Sequence, residues 1–269
     1  MTTRPSPSPR RALVAAVVVA LVLLAAALLA YVLVLRGDET APLALPTTAP
    51  SSGIGGGGAA APTTPGGTPA GGGTPSLPAA AGGGAVDPAG LAGTWAIGDG
   101  TVVGYRVREK LADLPAQSDA VGRTSAVTGG ATLAASGSDL SVTGAEFQAD
   151  LTTLASDRDQ RDQRIRRIGL ESATYPTATF KLTAPVAVPA AALTGSPVDL
   201  TLNGDLTIHG TTKNVSIPAR AQLNGSTIQV VGSLTFPFSD FGMTPPSVGS
   251  FVSVENDATL EFLIALARG

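Results

Sequence analysis

The sequence predicts an all-β domain, an eight-stranded antiparallel barrel with one short helix, carried behind a single transmembrane helix and a disordered linker. Three observations predict it. Apolar residues alternate with polar ones through most of the C-terminal two-thirds, the signature of half-buried strands. Turn pairs such as Asn203-Gly204 and Asn224-Gly225 punctuate that alternation. The composition is also split: 33 Gly, 21 Pro and 43% hydrophobic residues in 269 positions do not describe one folded body.

The N-terminus comes first. Residues 1–11 form a tail carrying Arg4, Arg10 and Arg11, and Ala12 to Leu35 follow as 24 residues without a charge. At about 1.5 Å per residue this makes roughly 36 Å of helix, enough for a hydrocarbon core of about 30 Å with some tilt. The arginines precede the span, while Asp38 and Glu39 follow Arg36, so the tail is expected in the cytoplasm and the rest of the chain outside it. The alternative is a cleaved signal peptide. Its apolar region usually runs about 7 to 15 residues, shorter than this one, which favours an uncleaved signal-anchor.

Residues 36–92 read as a linker. Gly37 to Ala92 contains 15 Gly and 9 Pro in 56 residues, and no charge lies between Thr40 and Val86. Such a segment buries too little apolar area to offset its chain entropy. As a coil it spans very roughly 40 Å. Its Thr/Pro runs are read as unmodified linker, with O-glycan attachment as the alternative.

Residues 93–269 carry the strands, expected at about 94–108, 125–134, 139–151, 177–187, 197–209, 213–223, 226–238 and 250–266. Eight antiparallel strands of this length suit a closed barrel better than a short-stranded sandwich. In the third strand Leu140 and Val142 are even but Phe147, Ala149 and Leu151 are odd, so a bulge is expected near Gly144. Pro218 and Pro237 fall inside strand patterns and should mark bulges or unpaired edges. Ser156 to Ile168 is helical in composition, with acids early, arginines late, Ser156 as N-cap, and Ile165 and Ile168 as inward anchors. A short helix across one barrel mouth follows.

Several chemistries are excluded or disfavoured. With no Cys there is no disulfide, thiolate nucleophile or lipidated cysteine. The single His, His209, leaves a hydrolase triad or multi-His metal site without support and is read as a turn residue. A net charge of −3 with no basic tract argues against nucleic acid. No enzymatic activity, cofactor or metal is expected. Arg outnumbers Lys 14 to 3, the bias of a GC-rich genome.

Ordered motifs carry a resemblance. Thr94-Trp95-Ala96-Ile97 opens the domain, Arg161-Asp162 sits on the helix, and Leu170-Glu171 and Tyr175-Pro176-Thr-Ala-Thr-Phe180 follow. Then come Gly204-Asp-Leu206-Thr-Ile208-His-Gly210-Thr-Thr-Lys213-Asn-Val215 and Asp240-Phe241-Gly242-Met243. In this order, from about 93 to 268, the chain resembles the YceI-like family of exported bacterial polyisoprenoid-binding proteins. The resemblance implies a lipocalin-like barrel whose apolar lumen holds an isoprenoid chain, such as a quinone or polyprenyl compound. Most of that family is secreted by a cleaved signal, and the long span and linker depart from this pattern.

The family has no fixed lumen motif, so alternation nominates the ligand-facing residues. They are Trp95, Ile97, Val103, Tyr105 and Val107; Phe147 and Leu151; Phe180, Leu182 and Val186; Leu200, Leu202, Leu206 and Ile208; Ile228, Val230, Leu234, Phe236 and Phe238; and Leu260, Phe262, Ile264 and Leu266. Phe241 is placed as a cap at one end. Eight strands stand at the boundary between a packed interior and one holding a small ligand, so a filled barrel presenting loops to a protein partner is the competing reading. Arg161, Asp162 and Arg164 are assigned either to a ligand head group or to fastening the helix to the barrel. The near balance of charge around them favours a salt-bridged structural role.

Overall fold

The computed structural model describes residues 40–46, 85–111, 117–248 and 252–269. The tail at 1–11, the span expected at 12–35 and most of the expected linker lie outside the described residues. Among the described residues no helix is long and apolar enough to cross a membrane.

The strands are β1 (Gly93–Ile97), β2 (Val102–Leu111), β3 (Gln117–Thr124), β4 (Val127–Ser136), β5 (Asp139–Asp150), β6 (Thr177–Leu182), β7 (Val186–Val188), β8 (Val198–Ile208), β9 (Thr211–Asn224), β10 (Thr227–Pro237), β11 (Ser247–Val248) and β12 (Val252–Arg268). Two short helices, α1 (Pro88–Leu91) and α2 (Asp159–Arg164), complete the set. The strands close into an antiparallel ring of eight, in the order β1-β4-β5-β6-β8-β9-β10-β12 and back to β1. The seam runs from Trp95 opposite Arg268 to Ile97 opposite Leu266.

The remaining strands continue ring members past local breaks. β1 and β2 lie along the same edge of β12. Between them Thr101 Oγ1 donates to the Ala265 carbonyl at 3.2 Å and accepts from the Ala265 amide at 3.0 Å, bridging the gap. β3 and β4 form the next wall, β3 against β2 and β4 against β1. β7 pairs the far end of β5. Counted this way, every wall strand neighbours the next in sequence, an up-and-down barrel.

The second wall begins at Gln117 rather than near 125. The sequence concealed this because Ala120 and Gly122 supply its interior face without a large apolar side chain. The expected bulge is present: Thr132 pairs with Gly144 and Leu133 with Val142, leaving Thr143 as the extra residue. A larger irregularity sits in β12 between Val254 and Ala258. Pro218 lies beside the place where β9–β10 pairing stops at Ala219 and Gly232. Pro237 ends β10 and caps a 3-10 turn.

Packing starts ahead of the boundary expected at Gly93. Asp87 caps α1, Leu91 is buried, and the Val86 amide donates to Leu193 at 2.8 Å. α1 and the 3-10 turn at Ala190–Thr194 are at the end holding the β9–β10 hairpin; α2 is at the other. On the outer wall Glu261, 5% exposed, accepts from Arg106 Nε at 2.7 Å. Gly104, opposite it, leaves room for the Arg123 side chain.

Candidate ligand site in the barrel lumen

Alternation along the wall places one apolar set inside, and the barrel is hollow. A first chamber of about 170 Å³ lies toward the hairpin end. Its lining includes Leu133, Leu140, Phe147, Phe180, Leu202, Ile217, Val230, Phe262 and Ile264, and only Thr179 and Gln222 are polar. A second chamber of about 290 Å³ lies beneath α2. Val103, Ala149, Ala178 and Leu260 line both, so the chambers meet at a shared waist.

Rings lying along the wall help to keep the space open. Tyr105 is opposite Gly122, Phe262 is opposite Gly232, and the Phe180 ring lies over Gly204. A Cβ at Gly232 would stand 2.5 Å from Phe262 Cζ, so the missing side chain is what admits the ring. Aromatic rings covering cross-strand glycines also repair the weak packing of those strands.

The second chamber has a polar roof built between β5 and β6. Asp150 Oδ1 accepts from the Thr152 amide at 2.8 Å and caps the 3-10 turn at Leu151–Thr153. These hydrogen bonds to the hydroxyl and amide of Thr152 hold the Asp150 carboxyl below its ordinary pKa. Leu151 and Leu154 turn inward. Asp162 is buried and accepts from the Ser156 amide at 3.0 Å and its hydroxyl at 2.6 Å. Arg161 reaches across to β2, donating to Glu109 from Nε at 3.3 Å and Nη2 at 3.1 Å, and also pairs with Asp157. Arg158, Gln160, Arg161 and Arg164 stand over the chamber.

Tyr105 forms part of the same chamber wall, and its buried hydroxyl has no hydrogen-bond partner among the described residues. Burial pushes its pKa well above the ordinary value. Asp162, Glu109 and Asp157 push the same way and Arg161 opposes them.

A family model of the YceI-like domain matches residues 99–266. The chain belongs to the YceI-like family. Among solved structures it is similar to a polyisoprenoid binding domain from Saccharophagus degradans implicated in plant cell wall breakdown, with a TM-score of 0.52 at 18% identity over 66% of this chain and 99% of that one. Burkholderia cenocepacia BcnA gives a TM-score of 0.45 at 18% identity, covering 61% and 95% of the two chains. The Campylobacter jejuni YCEI protein gives 0.39 at 15%, covering 48% and 74%. No curated protein matches the sequence.

In this YceI-like barrel most nominated residues reach the lumen. Val103, Phe147, Phe180, Leu182, Leu200, Leu202, Leu206, Ile228, Val230, Leu260, Phe262, Ile264 and Leu266 line the first chamber. Tyr105, Val107, Leu151, Ile208, Phe236 and Phe238 line the second. Others do not. Trp95 is 2% exposed but belongs to the plug at the hairpin end, where its Nε1 donates to the Leu91 carbonyl at 2.9 Å. Ile97, Val186 and Leu234 sit opposite the lining residues Leu266, Val142 and Leu260 but do not themselves line either chamber. Phe241 is not a cap over the mouth. It is 1% exposed and packs edge-on against Phe236 with centroids 4.8 Å apart.

The roof departs from the sequence pattern in two places. α2 starts at Asp159, with Arg158 in the cap position, because the Ser156 hydroxyl is engaged by Asp162. Ile165 faces the second chamber as expected, but Ile168 is 56% exposed. Ile165–Gly169 form a π-helical turn, closed by the Leu170 amide on the Ile165 carbonyl at 2.8 Å. The wider turn breaks the three-residue spacing that would align the two isoleucines. Arg161 and Asp162 are a fastening, though not to each other, and Arg164 lines the chamber from an exposed position. His209 sits in the β8–β9 turn at φ 52°, its ring 4.3 Å from that of Tyr175.

Sequence reasoning missed the interior faces of β4 and β9, including Val127, Ala131, Leu133, Ile217 and Ala221. The period-two signal is there, but small residues dilute it. Met243, Leu154 and Leu170 reach the second chamber from irregular segments where no period applies.

Proposed function

We propose that this YceI-like protein is a membrane-tethered, extracytoplasmic binding protein that holds an isoprenoid lipid, a quinone or polyprenyl compound, in its barrel lumen for storage or transport. The observation that carries the reading is the hollow interior: two joined chambers whose inner part offers almost nothing but hydrocarbon. An isoprenoid tail presents apolar area and no donors, and burying it stabilises the complex by about 25 cal/mol per Å². A solute rich in hydrogen-bonding groups would lose its water partners there without replacement. The binding activity named for the Saccharophagus degradans relative points the same way. The location rests on the uncharged stretch from Ala12 to Leu35 and the arginines ahead of it.

Native mass spectrometry and lipid extraction of the full-length chain test the binding. A stoichiometric isoprenoid is the expected result. A lipid-free protein that also takes up no added isoprenoid would sink the reading.

A further inference from the structure

We propose that the outer face of the roof docks on an anionic lipid surface, with Arg164 and Arg167 at the head groups and Ile168 in the apolar layer beneath them. The proposal rests on the lipid-binding reading above and adds the surface at which the lipid enters or leaves.

The starting observation is an exposed isoleucine. Ile168 is 56% exposed, and among the described residues the other exposed large hydrophobic is Val86, at the hairpin end. One exposed apolar side chain is ordinary on a protein surface. This one is turned outward by a defined turn. The Leu170 amide donates to the Ile165 carbonyl at 2.8 Å and the Ser172 amide to the Arg166 carbonyl at 3.0 Å, which puts Ile165 over the second chamber and Ile168 in solvent.

Its neighbours are cations. Gln163 to Leu170 contains Arg164, Arg166 and Arg167 and no acid. Arg164 and Arg167 are exposed, and neither has a carboxylate partner among the described residues. Arg166 donates to a neutral acceptor, the Leu154 carbonyl at 2.9 Å, so its charge is not cancelled there. The acids of the roof are engaged elsewhere: Asp157 by Arg158 and Arg161, Asp162 by the Ser156 amide and hydroxyl, and Glu171 at 3.7 Å from His209 Nε2. Asp159 stays exposed in the first turn of α2. Uncancelled arginines beside an exposed apolar side chain complement anionic head groups over hydrocarbon. Over residues 93–269 acids outnumber bases, so an anionic surface repels most of the barrel and attracts this face, which sets the orientation.

The place of the patch favours a bilayer over an acidic protein. Arg164 also lines the second chamber, as does Ile165, so the docking face and the lumen share a wall. A prenyl lipid is poorly soluble in water and must pass between bilayer and lumen. Docking by the roof brings the chamber to the bilayer surface.

The test uses the full-length chain reconstituted in phosphatidylcholine vesicles with or without phosphatidylglycerol. The chain has no Cys, so a single introduced Cys takes one fluorophore. Gln163→Cys places it beside the patch, and Ser226→Cys places it in the exposed β9–β10 turn at the far end. With a quencher carried on the lipid, the probe at position 163 should be quenched in phosphatidylglycerol vesicles, and much less in phosphatidylcholine alone or at high salt. The probe at position 226 should not be quenched. Arg164→Gln with Arg167→Gln should lower the docked-to-free ratio about tenfold or more, since each basic residue at such a surface contributes about fivefold. Ile168→Ser should lower it several-fold. Quenching that survives these substitutions, or equal quenching at both positions, overturns the proposal. No quenching at position 163 overturns it too and leaves the patch to an acidic protein. Native mass spectrometry of the same samples reads the isoprenoid separately. A lipid-loaded barrel that does not dock overturns this proposal alone, and a barrel that takes up no isoprenoid overturns both.

Discussion

Arg161 stands between two carboxylates, Glu109 across the barrel wall and Asp157 earlier in its own segment. The side chains of Arg161 and Glu109 are only 12% and 15% exposed, so neither is well solvated if its partner is removed. Arg161→Met and Glu109→Gln should therefore each cost about 1–3 kcal/mol of stability. The double variant should cost less than the sum, with a coupling of about 1 kcal/mol or more by denaturant unfolding. Additive effects would show that the pair does not fasten the roof. The sequence marks Arg161-Asp162 as a fastening and gives Asp157 the i,i+4 spacing that pairs it with Arg161, but the partners Glu109 and Ser156 are not legible there. Glu109 lies on a strand 52 positions away, and Asp162 closes on Ser156 across a stretch that is not yet helical. Local spacing rules reach neither contact, because one joins the helix to a distant strand and the other joins it to a residue ahead of its first turn.

Strands were legible where large apolar residues alternate and turn residues bound them, which is why the eight walls and the Thr143 bulge follow from the chain itself. Where glycine or alanine takes the inner position the pattern fades, although these are the positions that shape the lumen. Gly232 illustrates the point. It is opposite Phe262, and a methyl group there would meet the ring at 2.5 Å and the Pro218 carbonyl at 2.9 Å. The ring must then swing into the chamber or the strands must part. Gly232→Ala should lower stability by about 1–3 kcal/mol, the cost of overpacking. It should also weaken uptake of a prenyl hydrocarbon. Thermal melting and binding on the same preparation check both. An unchanged Tm with unchanged uptake would show that the ring lies against the strand by choice and not by fit. The π-helical turn was illegible for a related reason: Ile165 and Ile168 keep helical spacing in sequence, and only the wider turn separates them.

The whole chain joins parts with opposed solvents, and its composition makes sense only once they are separated. By composition the run from Ala12 to Leu35 is apolar enough for a bilayer and the Gly/Pro-rich stretch is not, while the barrel keeps apolar surface inside itself. At the hairpin end the Val86 amide donates to the Leu193 carbonyl and α1 buries Leu91. An anchor that keeps the arginine-bearing tail inside leaves both linker and barrel outside, since no second apolar run of spanning length follows Leu35 in the sequence. Protease added to intact cells should therefore remove the barrel from the membrane fraction while a short fragment containing Ala12 to Leu35 survives in the bilayer. The Gly/Pro-rich stretch, rich in small residues, is the expected site of the first cut. A barrel that resists protease until the cells are lysed would reverse the orientation. A barrel found free in the medium before any protease is added would show that the apolar run is cleaved as a signal, and that the protein is released instead of held at the membrane.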